Sequence, residues 1–170
     1  MYMIVHKCTL WNVAKVFFTE PTKIHFVKEI SRKIEIAPTS VRIHLKTLIS
    51  EGLIRESKSE LFNGYISVRE NPNFVFEKKI ANLVLIKSSG LIEELKESYP
   101  KSIILFGSYD KGEDIETSDV DLFVDSKPFK FNTKKFEEYL KRKIHIIFKE
   151  EANKSLLESI NQGAILFGER

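Results

Sequence analysis

Residues 107–124, GSYDKGEDIETSDVDLFV, constrain the chain more than any other stretch. The apolar run Ser102-Ile103-Ile104-Leu105-Phe106 leads into Gly107-Ser108, a polar loop of ten residues follows, and Asp119-Val120-Asp121 opens a second apolar run through Val124. Short β-branched and aromatic runs on either side of a polar segment predict two neighbouring buried strands. Side chains alternate along a strand, so Asp119 and Asp121 share one face while Val120, Leu122 and Val124 take the other. Two carboxylates on one face repel unless a cation sits between them, and a hard ion such as Mg²⁺ suits oxygen ligands. A glycine directly after a buried strand lets the backbone approach a ligand closely, and the Ser108 hydroxyl with nearby N–H groups can hold phosphate oxygens.

A phosphate cradle beside paired carboxylates is the equipment of metal-assisted phosphoryl or nucleotidyl transfer. The order G-S, a ten-residue gap, then S-D-x-D-L resembles the nucleotidyltransferase superfamily, in particular its minimal archaeal and bacterial domains. Gly112 agrees with that pattern, and Lys111 stands where such domains often carry Arg. The closing segment, a helix over 152–162 followed by Gly163 and a short apolar strand, is similar as well, so the resemblance covers residues 88–170. It implies nucleotide binding by Gly107 and Ser108, metal ligation by Asp119 and Asp121, catalysis by these two carboxylates, and Mg²⁺ with ATP or another NTP.

The pattern breaks at one place. Active members carry a third carboxylate on the strand after the next helix, and here the matching run is Arg142-Lys143-Ile144-His145-Ile146-Ile147. His145 stands at the carboxylate's position. Imidazole can accept a proton but adds no negative charge to hold Mg²⁺. Asp125 has the parity of Asp119 and Asp121 yet lies roughly 13 Å beyond Asp121 along an extended strand, too far to share an ion. His145 is therefore a candidate base or an ordinary strand histidine.

The N-terminal part has a different pattern. Apolar positions predict helices over 10–19 and 24–33, the second carrying Ile24, Phe26, Val27 and Ile30. After Pro38, a third helix places Val41, Leu45, Leu48 and Ile49 on one side and stops at Gly52. Two alternating runs, LIRES and YISVR, flank a turn at Phe62-Asn63-Gly64, a hairpin signal. Three helices and a hairpin follow the order of a winged helix-turn-helix, and T-S-V-R-x-H-L-K-x-L-x-x-x-G-L-I at 39–54 resembles the recognition helix and wing entry of prokaryotic regulators. The resemblance implies that Thr39, Ser40, Arg42, His44 and Lys46 face DNA, with Arg55, Lys58 and Asn63 of the wing on its backbone. Double-stranded DNA is the expected partner, bound by a homodimer where two half-sites are read. The bland alternative is a helical scaffold with an ordinary solvated face.

The expected fold class is thus α+β in two domains, a winged helix-turn-helix at 1–72 and a nucleotidyltransferase-fold mixed sheet with flanking helices at 88–170, joined by a helix at 73–87. Charge follows this division. Residues 1–72 hold 11 Lys/Arg against 7 Asp/Glu, a net +4, whereas residues 73–170 hold 16 against 17. Cys8 is alone, which excludes a disulfide framework and a Cys-based zinc site. No run is apolar enough to span a bilayer and no secretion pattern opens the chain, so no membrane partner and a cytoplasmic location are expected. Three functions fit: an enzyme transferring a nucleoside monophosphate to a hydroxyl; a DNA-binding regulator with a catalytically defective domain; and an antitoxin-like protein that modifies or masks a protein partner.

Overall fold

The computed structural model describes residues 8–58 and 63–169. The chain divides into two compact units, Met1–Lys78 and Lys79–Arg170.

The first unit begins with α1 (Thr9–Thr19), α2 (Val27–Ile34) and α3 (Pro38–Ser50), followed by an antiparallel pair, β1 (Ile54–Lys58) and β2 (Asn63–Ser67). Its core forms because Val13, Val16 and Phe17 of α1, Ile30 of α2 and Val41, Leu45 and Leu48 of α3 recur at helical spacing and are all buried. Each such side chain contributes on the order of 1.5–3 kcal/mol. Ile24 and Phe26, expected inside a helix over 24–33, instead precede α2 and stay exposed. The reason is a competing partner: His25 and Tyr65 exchange backbone hydrogen bonds, N to O, at 2.8 and 2.9 Å, which holds 24–26 extended beside β2.

That pairing also explains Asn63-Gly64, which lies within β2 opposite Lys58 and Ser57 rather than in the turn. Gly64 leaves room for the extended segment, since a Cβ there would stand 2.3 Å from Ile24 Cγ2. Phe62 of the expected turn lies outside the described residues. Met1–Lys7 of the expected first domain do so too. The 18-residue helix α4 (Pro72–Ser89) begins in the first unit and ends in the second.

The second unit continues with α5 (Leu91–Lys96), β3 (Ser102–Phe106), α6 (Gly107–Lys111), β4 (Val120–Val124), α7 (Lys134–Leu140), β5 (Ile144–Phe148), a 3-10 turn at Lys149–Glu151, α8 (Lys154–Gln162) and β6 (Ala164–Gly168). The sheet order is β5-β4-β3-β6, mixed: β4 runs parallel to β5, while β3 is antiparallel to both neighbours. The described chain is therefore α+β. Both central strands are covered on two sides, which is why they read as unbroken apolar runs. Val120, Leu122 and Val124 pack with Leu91, Leu95, Phe136 and Leu140, whereas Phe123 joins Ile104, Phe106, Ile147 and Ile160.

One expectation changes here: the first residues of the polar loop coil into α6. Helix α7 ends at Leu140, because Lys141 takes a left-handed conformation with φ 55°, and Tyr139 is 48% exposed. No described helix is long and apolar enough to cross a membrane.

Candidate functional site

Strand register brings the central residues together. In β3 and β4, Phe106 pairs with Asp121; in β4 and β5, Asp121 pairs with His145. Asp121 and His145 thus project from adjacent strands on one face, shared with Phe123 and Ile147. His145 Nδ1 lies 3.4 Å from Asp121 Oδ1. The other carboxylate oxygen, Oδ2, lies against Gly107, where a Cβ would come within 2.6 Å of it. Gly107 has φ 78°, so both its conformation and its lack of a side chain are used. The missing side chain therefore makes room for the Asp121 carboxylate.

Asp119 sits one residue before β4 and is exposed, and the Asp121 side chain is 27% exposed. Burial pushes the Asp121 carboxyl above its usual range, and the Asp119 charge adds to that push while the His145 ring opposes it. The ionised form of Asp121 is therefore disfavoured relative to a carboxylate in water, and a cation beside it would restore it. Asp119 and Asp121 fit a hard divalent ion that takes one or two carboxylates and completes its shell with substrate phosphates and water. Among the described residues, no group of three or more His, Cys, Asp or Glu is placed to hold a metal ion. Ser108 lies in the first turn of α6, half-buried beside Gly107. Asp125 bonds elsewhere, with Lys149 Nζ 3.1 Å from its Oδ1.

Beneath this surface runs a polar network that sequence reasoning missed. Asp114 is fully buried, with Arg142 Nη2 at 3.1 Å from its Oδ2 and the Asn82 side-chain amide donating to its Oδ1 at 2.7 Å. The same Asn82 amide donates to the Tyr109 carbonyl at 2.8 Å. Burial, with the Asp114 charge adding, pushes the Tyr109 hydroxyl well above its ordinary value. These contacts tie α4, α6, the segment before Asp119 and the entry to β5 into one frame. A cavity of about 490 Å³ adjoins Asp119, with Lys134, Lys141 and Glu138 of the α7 region in its wall.

Residues 88–166 match the nucleotidyltransferase domain family. A protein of Methanocaldococcus jannaschii named "Putative protein adenylyltransferase" is 44% identical over 57 residues, which is 32% of this chain and 66% of that protein. The match thus spans less than two thirds of that relative's length. No solved structure matches the chain. The stretch that matches this family contains Gly107, Ser108, Asp119, Asp121 and His145.

In the first unit, α3 exposes Thr39, Arg42 and Lys46, and β1 and β2 expose Arg55 and Asn63. Ser40 is half-buried. His44 is half-buried too, with Nε2 at 2.8 Å from the Thr9 hydroxyl. Lys58 ends β1, and its side chain lies outside the description.

Proposed function

We propose that the second unit transfers a nucleoside monophosphate from an NTP to a hydroxyl. The observation carrying this reading is the Asp121 carboxylate seated between Gly107 and His145, next to Asp119. Mg²⁺ held by Asp119 and Asp121 would draw negative charge from the phosphate oxygens as it builds up. Gly107 and Ser108 hold the phosphates by backbone N–H and hydroxyl donation. The acceptor oxygen bonds to the α-phosphorus, the bond to the bridging oxygen breaks, and pyrophosphate leaves. With Nδ1–H turned to Asp121, the His145 ring keeps Nε2 free to take the acceptor's proton, and its 62% exposure leaves that nitrogen accessible. ATP as donor and a protein hydroxyl as acceptor are favoured, because the Methanocaldococcus relative is named for adenylyl transfer to protein.

The first unit is, in the same proposal, a winged helix-turn-helix that binds double-stranded DNA with Thr39, Ser40, Arg42, His44 and Lys46, and with Arg55, Lys58 and Asn63 on the backbone. Two chains reading two half-sites would make a homodimer. The connecting-helix division at 73–87 belongs to this reading.

A second reading rests on His145 itself. The ring lies 3.4 Å from Asp121 Oδ1 and gives that carboxylate a partner without a metal, which suits a catalytically silent regulator or an antitoxin-like protein that binds a partner. Incubating the full chain with Mg²⁺ and ATP labelled at the α-phosphate separates the two. Label transferred to protein, lost in Asp119→Asn and Asp121→Asn, supports the enzyme. Nucleotide binding without transfer, insensitive to Mg²⁺ and to both substitutions, supports the regulator.

A further inference from the structure

The first unit contains a cleft of about 720 Å³ that neither proposed activity uses. Its walls are Trp11 and Phe18 of α1, Leu48 of α3 and Phe76 of α4, with Glu51 and Glu77 at its edge. Phe76 remains 61% exposed. A large aromatic side chain left in water at the border of an apolar hollow is a cost that a ligand would remove. Both Glu51 and Glu77 are exposed, neither is held by an ion pair or side-chain hydrogen bond among the described residues, and no Lys, Arg or His is among the described lining residues. Aromatic faces and two carboxylates both favour positive charge.

We propose that this cleft is a binding site for a small lipophilic cation, an aromatic or alkyl body carrying one positive charge. The apolar body displaces water from Trp11, Phe18, Leu48 and Phe76, and the charge lies between Glu51 and Glu77. Such a ligand touches α3 through Thr47, Leu48 and Glu51, which at about 100° per residue lie on the side opposite Arg42 and Lys46. Its volume falls within the usual range for small-molecule pockets, about 300–1,000 Å³.

Trp11 is the chain's single tryptophan, so its fluorescence reports on this cleft without ambiguity. The test titrates the full chain with tetraphenylphosphonium, with neutral triphenylmethanol as the uncharged counterpart. Saturable change in Trp11 emission is expected for the cation, with weaker binding of the neutral compound. Replacing both carboxylates, Glu51→Gln with Glu77→Gln, should weaken the cation by about two- to thirtyfold, the range for two exposed charge contacts. Should the double variant fail to fold by circular dichroism, Phe76→Ala, at an exposed position, gives the same readout. Emission that ignores the cation overturns the proposal, as does equal affinity of the neutral compound or unchanged affinity in the carboxylate variant. A dimer in sedimentation that Phe76→Asp dissociates, with Trp11 indifferent to the probe, gives the cleft to a second copy and overturns it too.

Discussion

Gly107 answers two demands at once, a left-handed backbone and a carboxylate oxygen where a methyl group would stand. Alanine there meets both penalties. Gly107→Ala should lower stability by about 1–3 kcal/mol and displace Asp121, weakening Mg²⁺-dependent nucleotide binding. Thermal unfolding and calorimetric titration of the same preparation check the two effects together. A second residue governs acid behaviour in the first unit. Burial alone would push the Glu20 carboxyl up, but the Lys23 and Lys33 ammonium groups outweigh it and hold it at about 2. The folded-state value lies below the unfolded one, so this stabilisation is complete above the ordinary carboxylate range and disappears as pH falls through about 2. Glu20→Gln should therefore flatten the loss of stability between roughly pH 5 and pH 2. Urea unfolding followed by Trp11 emission measures it, since that tryptophan belongs to the first unit.

At the scale of elements, the Asp114–Arg142 pair joins the segment before β4 to the entry of β5. Removing one partner strands a buried charge, so Arg142→Ala should destabilise the domain by about 3–5 kcal/mol, and replacing both residues with apolar ones of similar volume should cost much less. Denaturant midpoints of the three proteins decide. This pair was invisible in the sequence because Arg142 precedes a strand among lysines and Asp114 sits in an acidic loop; only the fold shows that both are buried. Strands β3 and β4 were legible, since β-branched runs covered on both sides have little other outcome, and β5 was legible as a short isoleucine-rich run. His145, which the resemblance puts at the position of a third carboxylate, stands beside Asp121 in the neighbouring strand. Helix α6 was not legible, as five residues of mixed polarity carry no period. Ile24 and Phe26 misled for a related reason: helical spacing cannot reveal a pairing with Tyr65 some forty residues away.

For the molecule as a whole, the proposed function gives the two units separate chemistry and makes them separable by mutation. Arg42→Ala with Lys46→Ala should weaken DNA binding and reduce the slope of log K against log salt by about 2, since each lost phosphate contact releases one counterion fewer. The same substitutions should leave nucleotide affinity unchanged, a comparison that a salt series of binding isotherms and one ATP titration complete. The sheet of the second unit has a further consequence, which concerns the order of synthesis. Strand β3 has β4 as one neighbour, close behind it in the chain, but its other neighbour is β6 at Ala164–Gly168. A nascent chain that has left the ribosome only as far as β5 can bring Asp121 beside His145, yet one side of β3 still has no strand to bond with. Until β6 emerges, that open ladder is an invitation to other chains, so the last step of translation of this sheet is also its point of greatest exposure to aggregation.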